Sequence, residues 1–356
     1  MEKKLRVGIV GVGNIAQSHI DAYQKDPHAE VYALCDINEE RLKKNGEKHG
    51  ITRLYTDVKE MVKLEELDAV SICTWNCAHA PCAIAALNAG KHVLCEKPMA
   101  MNAAQAEEMK AAAERAGKLL MIGFVRRYGN DMRILKEFID SNALGDIYYA
   151  KATYLRRNGN PGGWFCDKAR SGGGPLIDLG VHVIDFVRYA MGNPKPVSVY
   201  AVTAEKLGNR ANLKTEPPYL ASDHVKGEKC DVEDLACGMI RFDNGAVLNV
   251  ETSFSLNIEK NEGKIELFGD KGGACINPEL KLFTEQNGYM TNVSLEAKTA
   301  LDFDDLFENE VSHFVSCALF GTECRSPAED GVQLMRILES AYASAACGHE
   351  VIIEQE

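Results

Sequence analysis

Long apolar runs are missing from this 356-residue chain. None approaches the roughly 20 residues that cross a bilayer, which excludes a membrane-spanning helix. Basic surface is scarce too: 40 Lys and Arg against 52 Asp and Glu leave a formal charge of −12. No local Lys/Arg cluster offsets that field, so nucleic acid and anionic membranes are poor partners. A secretory leader has no counterpart, because residues 1–6 are charged and lead straight into an apolar strand. A soluble cytoplasmic protein is expected. Twelve cysteines are present, but they are scattered through predicted strands and helices rather than spaced as a disulfide framework, and reduced thiols are expected. Cys73, Cys77, His79 and Cys82 come nearest to a ligand set. Their spacing matches no common metal-binding pattern, and no metal is expected.

What remains is ordinary globular composition, 46% hydrophobic and 26% charged, long enough for two domains. Short β-branched-rich runs at 7–10, 31–35, 69–74, 92–95 and 119–123 lack two-residue alternation, as strands buried on both faces of a parallel sheet do. Helical stretches at 16–25, 80–89 and 103–116 lie between them. This alternation predicts a doubly wound α/β Rossmann sheet over 1–123. Beyond 124 the pattern changes. A helix at 131–141, a strand at 147–156, a Gly-rich loop and a helix at 175–191 precede antiparallel-looking strands at 235–242, 247–254, 263–268 and 274–277. Asp243-Asn244-Gly245 marks a hairpin between the first two of these. Helices at 304–320 and 329–347 and a short strand at 351–354 complete an α+β substrate and oligomerisation domain, 124–356, on a large open, mainly antiparallel sheet.

Gly11-Val12-Gly13-Asn14-Ile15-Ala16 places G-x-G-x-x-A directly after a strand and at a helix start. Gly11 permits the tight turn, Gly13 lets backbone approach a pyrophosphate, and Ala16 lets the helix pack closely. The helix N-terminus, through Asn14 and Ile15, offers its positive end to phosphate. Asp36, twenty residues beyond Ala16 at the end of the next strand, stands where a carboxylate bonds ribose hydroxyls. That carboxylate repels a 2′-phosphate, and Ile37 and Asn38 offer no cation to receive one, so NAD is favoured over NADP. Arg41 on the following helix is the side chain an NADP reading would use.

Glu96-Lys97-Pro98 follows the run at 92–95, at the carboxyl edge where such sheets bind ligands. Farther on, Gly172-Gly173-Gly174-Pro175 opens a helix on which Asp178 and His182 lie four apart on one face, with Asp185 three beyond. The glycine fingerprint, Glu-Lys-Pro, the GGG-x-x-x-D-x-G-x-H segment and the terminal helix from about Glu329 together resemble the Gfo/Idh/MocA family of inositol and sugar dehydrogenases. The resemblance covers essentially the whole chain. It implies Lys97, Asp178 and His182 as the catalytic set. The chemistry is coherent on its own terms: a base removes the hydroxyl proton as hydride leaves carbon, for which an imidazole is suited, while a cation favours the developing alkoxide. Asp178 would orient His182 or hold a neighbouring hydroxyl, and Asp185 reads as structural.

The resemblance further implies that Thr74-Trp75-Asn76 and His79 flank the cofactor together with Glu96 and Lys97. Trp75 stands where relatives usually carry proline. The loop 156–170 corresponds to the family's variable substrate-facing loop. Trp164 lies within it, followed by Phe165 instead of the family's arginine, so a guanidinium role would pass to Arg157 or Arg170, and Arg127, beyond the run 119–123, is a further candidate ligand-facing cation. A solvated salt bridge is the alternative for each. The implied activity interconverts a secondary alcohol and a ketone on a cyclic polyol, sugar or glycoside, in a homodimer or homotetramer. Two alternatives stand beside it: a redox-neutral glycoside-cleaving hydrolase or lyase that holds NAD permanently, and a non-catalytic NAD-binding sensor.

Overall fold

The computed structural model describes residues 4–303 and 305–354; residues 1–3, 355–356 and Asp304, where the first terminal helix was expected to begin, lie outside the described residues. Contacts divide the chain into two units, Met1–Tyr128 with Phe303–Val332, and Gly129–Asp302 with Gln333–Glu356.

The first unit is built on six strands: β1 (Leu5–Val10), β2 (Ala29–Cys35), β3 (Leu54–Tyr55), β4 (Ala69–Ile72), β5 (His92–Glu96) and β6 (Leu120–Gly123). All pair in parallel, in the order β3-β2-β1-β4-β5-β6. The order reverses between β1 and β4, and the crevice beyond their carboxyl ends is where doubly wound sheets bind ligands. Crossover helices α1 (Asn14–Lys25), α2 (Glu39–His49), α3 (Val58–Met61), α4 (Asn76–Asn88) and α5 (Ala103–Ala116) join the strands. Helix α4 starts at Asn76 rather than at 80, although Pro81 lies inside it. Its buried stripe of Asn76, His79, Ala80, Ala83, Ala86 and Leu87 outweighs the one backbone hydrogen bond that proline removes.

One segment of this unit comes from far along the chain. The helix over Leu306–Phe320 packs on α1 and adds Val311, Phe314 and Val315 to the core formed by Leu5, Ile9, Ile20 and Tyr23. Each such buried side chain contributes about 1.5–3 kcal/mol. The unit is therefore discontinuous in sequence, unlike two consecutive segments meeting at 123/124.

In the second unit, helix α6 (Asn130–Asp140) precedes a nine-stranded sheet. Its strands are β7 (Ile147–Leu155), β8 (Pro196–Ala204), β9 (Leu235–Phe242), β10 (Val247–Ser253), β11 (Glu262–Gly269), β12 (Gly272–Ile276), β13 (Leu280–Gln286), β14 (Tyr289–Val293) and β15 (Val351–Ile352). They run β14-β13-β12-β11-β7-β10-β9-β8-β15, antiparallel except for the β7–β10 pair. The β9–β10 hairpin turns at Asp243-Asn244-Gly245, with Gly245 at φ 84°. A second hairpin, β13–β14, turns at Asn287 and Gly288, both left-handed. That Asn-Gly pair between β-formers is the signal by which sequence reading should have found it. The short helix α7 (Lys168–Ser171) and helix α8 (Val181–Ala190) complete the elements around the Gly-rich segment, and α8 packs on β7 and β10.

Candidate active site

At the switch point, β1 runs into Gly11 at φ 80°, where an added Cβ would fall 2.7 Å from the Cys73 carbonyl oxygen. Glycine is obligatory there. At Gly13 a Cβ would meet nothing in the protein within 4 Å, so packing does not explain that residue. Open space suits the close approach of an outside group to backbone, and α1 begins there with neither a side-chain cap nor an acid in its first turn. Asp36, at the end of β2, is buried. Its Oδ2 accepts the Val12 N–H at 2.8 Å and its Oδ1 accepts the Asn38 N–H at 2.8 Å, so the carboxylate also buttresses the glycine turn. The Arg41 guanidinium lies against the same carboxylate at 3.3 Å. These features fit a dinucleotide: an uncapped helix end for its phosphates and an acid beside its ribose.

Two further loops leave the same edge. After β4, Trp75 occupies the N-cap position of α4, and His79 sits buried in the first turn. The His79 ring bridges the loops, with Nδ1 2.7 Å from the Pro98 carbonyl and Nε2 3.1 Å from the Thr74 carbonyl. Burial pushes its pKa below the ordinary histidine value. After β5, Glu96 turns its carboxylate inward: Oε1 meets His19 Nε2 at 2.8 Å, and Oε2 accepts the Lys97 N–H at 3.2 Å. His19 Nδ1 meets Ser71 Oγ at 2.9 Å. Burial alone would lower the His19 pKa, but Cys73 and the Glu96 carboxylate raise it above its usual value. Burial would raise Glu96, and His19 holds it below the usual carboxylate range. The two groups thus favour each other's charged form, fastened behind the loop that carries Lys97, and the Lys97–Pro98 peptide is cis.

In the second unit the residues from Pro175 do not form one regular α-helix. Leu176–Gly180 is a π turn, with the Val181 N–H bonding Leu176 O five residues back, and α8 follows. Such turns are frequent at functional sites. A buried carboxylate supports its start. Glu233 accepts the Gly174 N–H at 2.8 Å, the Leu176 N–H at 3.1 Å and the Tyr342 hydroxyl at 2.9 Å. Burial pushes its carboxyl up, against those donors. The glycines before it are required by close approach, since a Cβ at Gly173 would fall 2.1 Å from the Tyr342 hydroxyl and one at Gly174 would fall 2.3 Å from the Glu233 carbonyl oxygen. Across residues 173–188 every residue is buried except two, Asp178 and His182. Asp185 is buried, in keeping with a structural role.

Residues 5–124 match the oxidoreductase family with an NAD-binding Rossmann fold, and 132–275 match the GFO/IDH/MocA C-terminal domain. D-glucoside 3-dehydrogenase of Escherichia coli (strain K12) is 34% identical, over 98% of this chain and 97% of its own. The chain belongs to the GFO/IDH/MocA family. Myo-inositol 2-dehydrogenase of Thermotoga maritima is 30% identical over 75% of this chain and 74% of its own. A levoglucosan dehydrogenase solved with NADH and levoglucosan superposes with a TM-score of 0.86 at 26% identity, over 99% of this chain and 100% of that one. As a GFO/IDH/MocA protein, the chain is a nicotinamide-dinucleotide-dependent dehydrogenase of CH–OH groups, and the fold expected from its sequence is the fold it has.

Family membership does not carry over every expected contact. Arg127 is buried, with its Nη1 donating to Asp330 Oδ2 at 2.7 Å and to the Arg325 carbonyl at 2.5 Å. It is a structural cation of the first unit, not a ligand-facing one, because that ion pair takes up its charge in the core. Arg157 is exposed and bonds the Glu259 carbonyl at 2.8 Å. Arg170 is held by Asp167 and Asp223, both at 2.7 Å. Trp164 is half-buried and packs on Phe165, the rings tilted by 31° with centroids 4.0 Å apart.

Sequence reading missed His19 and Glu233. A histidine three residues past Ala16, on the inward stripe of α1, was the available signal for the first; nothing local marks the second. Among the described residues, two groups bring three potential metal ligands within 4.8 Å, His19–Glu96–Glu310 and His313–Cys317–Cys324, and neither includes the cluster at residues 73–82. His19 is engaged by Ser71 and Glu96, and His313 Nε2 accepts the Arg325 N–H at 3.0 Å. Burial and Arg325 push His313 down to about 4.

Proposed function

We propose that the chain catalyses reversible, NAD-linked oxidation of a secondary hydroxyl on a sugar, glycoside or cyclic polyol, with Lys97, Asp178 and His182 as the proton-transfer set. The observation that carries this reading is that Asp178 and His182 alone are half-buried within the otherwise buried run 173–188, on a π turn braced by a buried carboxylate and the first turn of the helix that follows it. Relatives named for the 3-position of glucosides, the 2-position of myo-inositol and levoglucosan favour a ring hydroxyl. When bound, the nicotinamide supplies the hydride acceptor. His182 takes the hydroxyl proton, Asp178 orients it or holds a neighbouring hydroxyl, and the Lys97 ammonium stabilises the developing alkoxide or, in reverse, polarises the carbonyl.

Asp36 supports NAD over NADP: a 2′-phosphate would meet its carboxylate, and the Arg41 guanidinium that would receive the phosphate is engaged by Asp36 itself. The test is NADH absorbance across glucosides, inositols, anhydrosugars and sugar phosphates, with NADP run in parallel. NADH should form in a one-to-one ratio with substrate consumed, and faster with NAD. Bond cleavage without net NADH would replace this reading with the redox-neutral one, and faster turnover with NADP would remove the argument from Asp36.

The same reading assigns a second copy of the chain to the outward face of the nine-stranded sheet. Tyr200, Val202 and Met239 are 46%, 43% and 49% exposed there, and Tyr200 lies opposite Met239 across β8 and β9. Light scattering is expected to give a dimer or tetramer, and the Val202→Glu/Met239→Glu double variant a smaller species. A monomeric wild type at micromolar concentration would refute this.

A further inference from the structure

The segment 156–171 and the long irregular crossing 205–234 are fastened to each other along their length. The Ala221 N–H bonds the Pro161 carbonyl at 2.8 Å, the Gly163 N–H bonds Glu228 at 2.5 Å, the Trp164 N–H bonds Asp223 at 3.2 Å, and the Lys168 N–H bonds Asp231 at 2.7 Å. At the middle of this seam lie two cysteines. Cys166 Sγ and Cys230 Sγ are 2.6 Å apart, about half an ångström beyond a disulfide bond of roughly 2.05 Å, yet both are free thiols. Cys166 is buried and Cys230 half-buried.

Their surroundings polarise the pair. The buried Asn160 side chain spans both sulfurs: its Oδ1 accepts from Cys166 Sγ at 3.3 Å, and its Nδ2 donates to Cys230 Sγ at 3.5 Å. The Gly162 N–H at 2.9 Å fixes the Oδ1 end, which sets the amide's orientation. Cys166 therefore keeps its proton, and Cys230 receives hydrogen bonds. The adjacent Cys166 sulfur, the Asn160 amide and the Val232 N–H hold the Cys230 thiol below its ordinary value against the opposing effect of burial. Most other shifted cysteines move the opposite way, with burial pushing Cys35 up to about 12 and Cys82 to about 11. Low-pKa, reachable thiolates next to a second thiol are the ones that oxidise selectively.

We propose that Cys166 and Cys230 form a reversible redox site, in which a hydroperoxide oxidises Cys230 and Cys166 resolves it to a disulfide. The Cys230 thiolate attacks the terminal peroxide oxygen. The O–O bond breaks, the alcohol or water leaves with a proton, and Cys230 becomes a sulfenic acid. The Cys166 sulfur then attacks Cys230 Sγ and water departs, carrying the Cys166 proton. Two thiols and one hydroperoxide thus give one disulfide, one alcohol or water molecule and one further water. The bond would lock the crossing 205–234 onto the segment bearing Trp164 and Arg170, and a dithiol reductant would release it.

The test uses the full chain with near-stoichiometric hydrogen peroxide, followed by intact-mass measurement and peptide mapping, and its result does not depend on the dehydrogenase reading. A mass loss of about 2 Da, with a Cys166–Cys230 cross-linked peptide that disappears on reduction, is expected. In Cys166→Ser, dimedone should label Cys230, and in Cys230→Ser, Cys166 should remain a thiol. Because wild-type mapping carries the result, a variant that fails to fold does not protect the proposal. It is overturned if Cys166 and Cys230 stay reduced while the exposed Cys347 oxidises, or if Cys230 pairs with a different cysteine.

Discussion

Lys97→Ala is expected to lower kcat by a hundredfold to a thousandfold, the typical cost of removing one group that stabilises developing negative charge. The fold should survive, because the backbone of this loop is fastened by the side chains of Glu96 and His79. The Lys97 N–H is held by Glu96 Oε2, Glu96 by His19, and Pro98 by His79. Alanine keeps all three. His182→Ala should cost a similar factor, and the double variant little more than either single one, since groups acting in one proton transfer are not additive. Steady-state kinetics at saturating NAD, with circular dichroism as the folding control, makes the measurement. A kcat within about tenfold of wild type for Lys97→Ala would remove it from the catalytic set.

His19→Ala tests the support behind that loop and should be the most destabilising single change discussed. It strands the Glu96 carboxylate in the core, and breaking a buried pair by deleting one partner costs ~3–5 kcal/mol. At ~2–4 °C per kcal/mol for a chain of this size class, the thermal midpoint should fall by roughly 6–20 °C. The pH dependence carries a sign. The folded His19 pKa is raised, so its stabilisation is complete below the unfolded value of ~6.5 and is lost as pH rises through the folded one. The folded Glu96 pKa is lowered, so its stabilisation is present above ~4.3 and is lost as pH falls through the folded value. His19→Gln can still donate to Glu96 but cannot titrate. It should recover part of the stability and flatten the alkaline decline in the midpoint. An alkaline decline as steep in His19→Gln as in wild type would show that this pair is not its source.

How far the sequence could be read depended on whether a feature is local. The glycine turn, the acid closing β2 and the Asp243-Asn244-Gly245 hairpin are written within a few residues each, whereas the two-residue strand β3 leaves no run to read. Features built from distant residues were not legible. Glu233 reaches the start of the π turn from 57 residues away, and Arg127 meets Asp330 from 203 away. Spacing showed Arg127 only as a cation near a strand end, whereas a buried partner from the far end of the chain decides what it does. The π turn was hidden for a related reason. Pro175 and the i, i+4 pair read as an ordinary helix start, and the wider turn is stabilised by a carboxylate the local pattern does not contain.

The helix over Leu306–Phe320 has a consequence for synthesis. Val311, Phe314 and Val315 finish the core over α1, so that core is incomplete when the sixth strand leaves the ribosome. Residues 129–302 must be translated first, which at ~5–20 residues per second takes roughly 10–35 s. Throughout that interval Ile20 and Tyr23 lack their cover, and the nascent chain presents an apolar face suited to chaperone binding. The part of the protein made first is thus among the last to be completed.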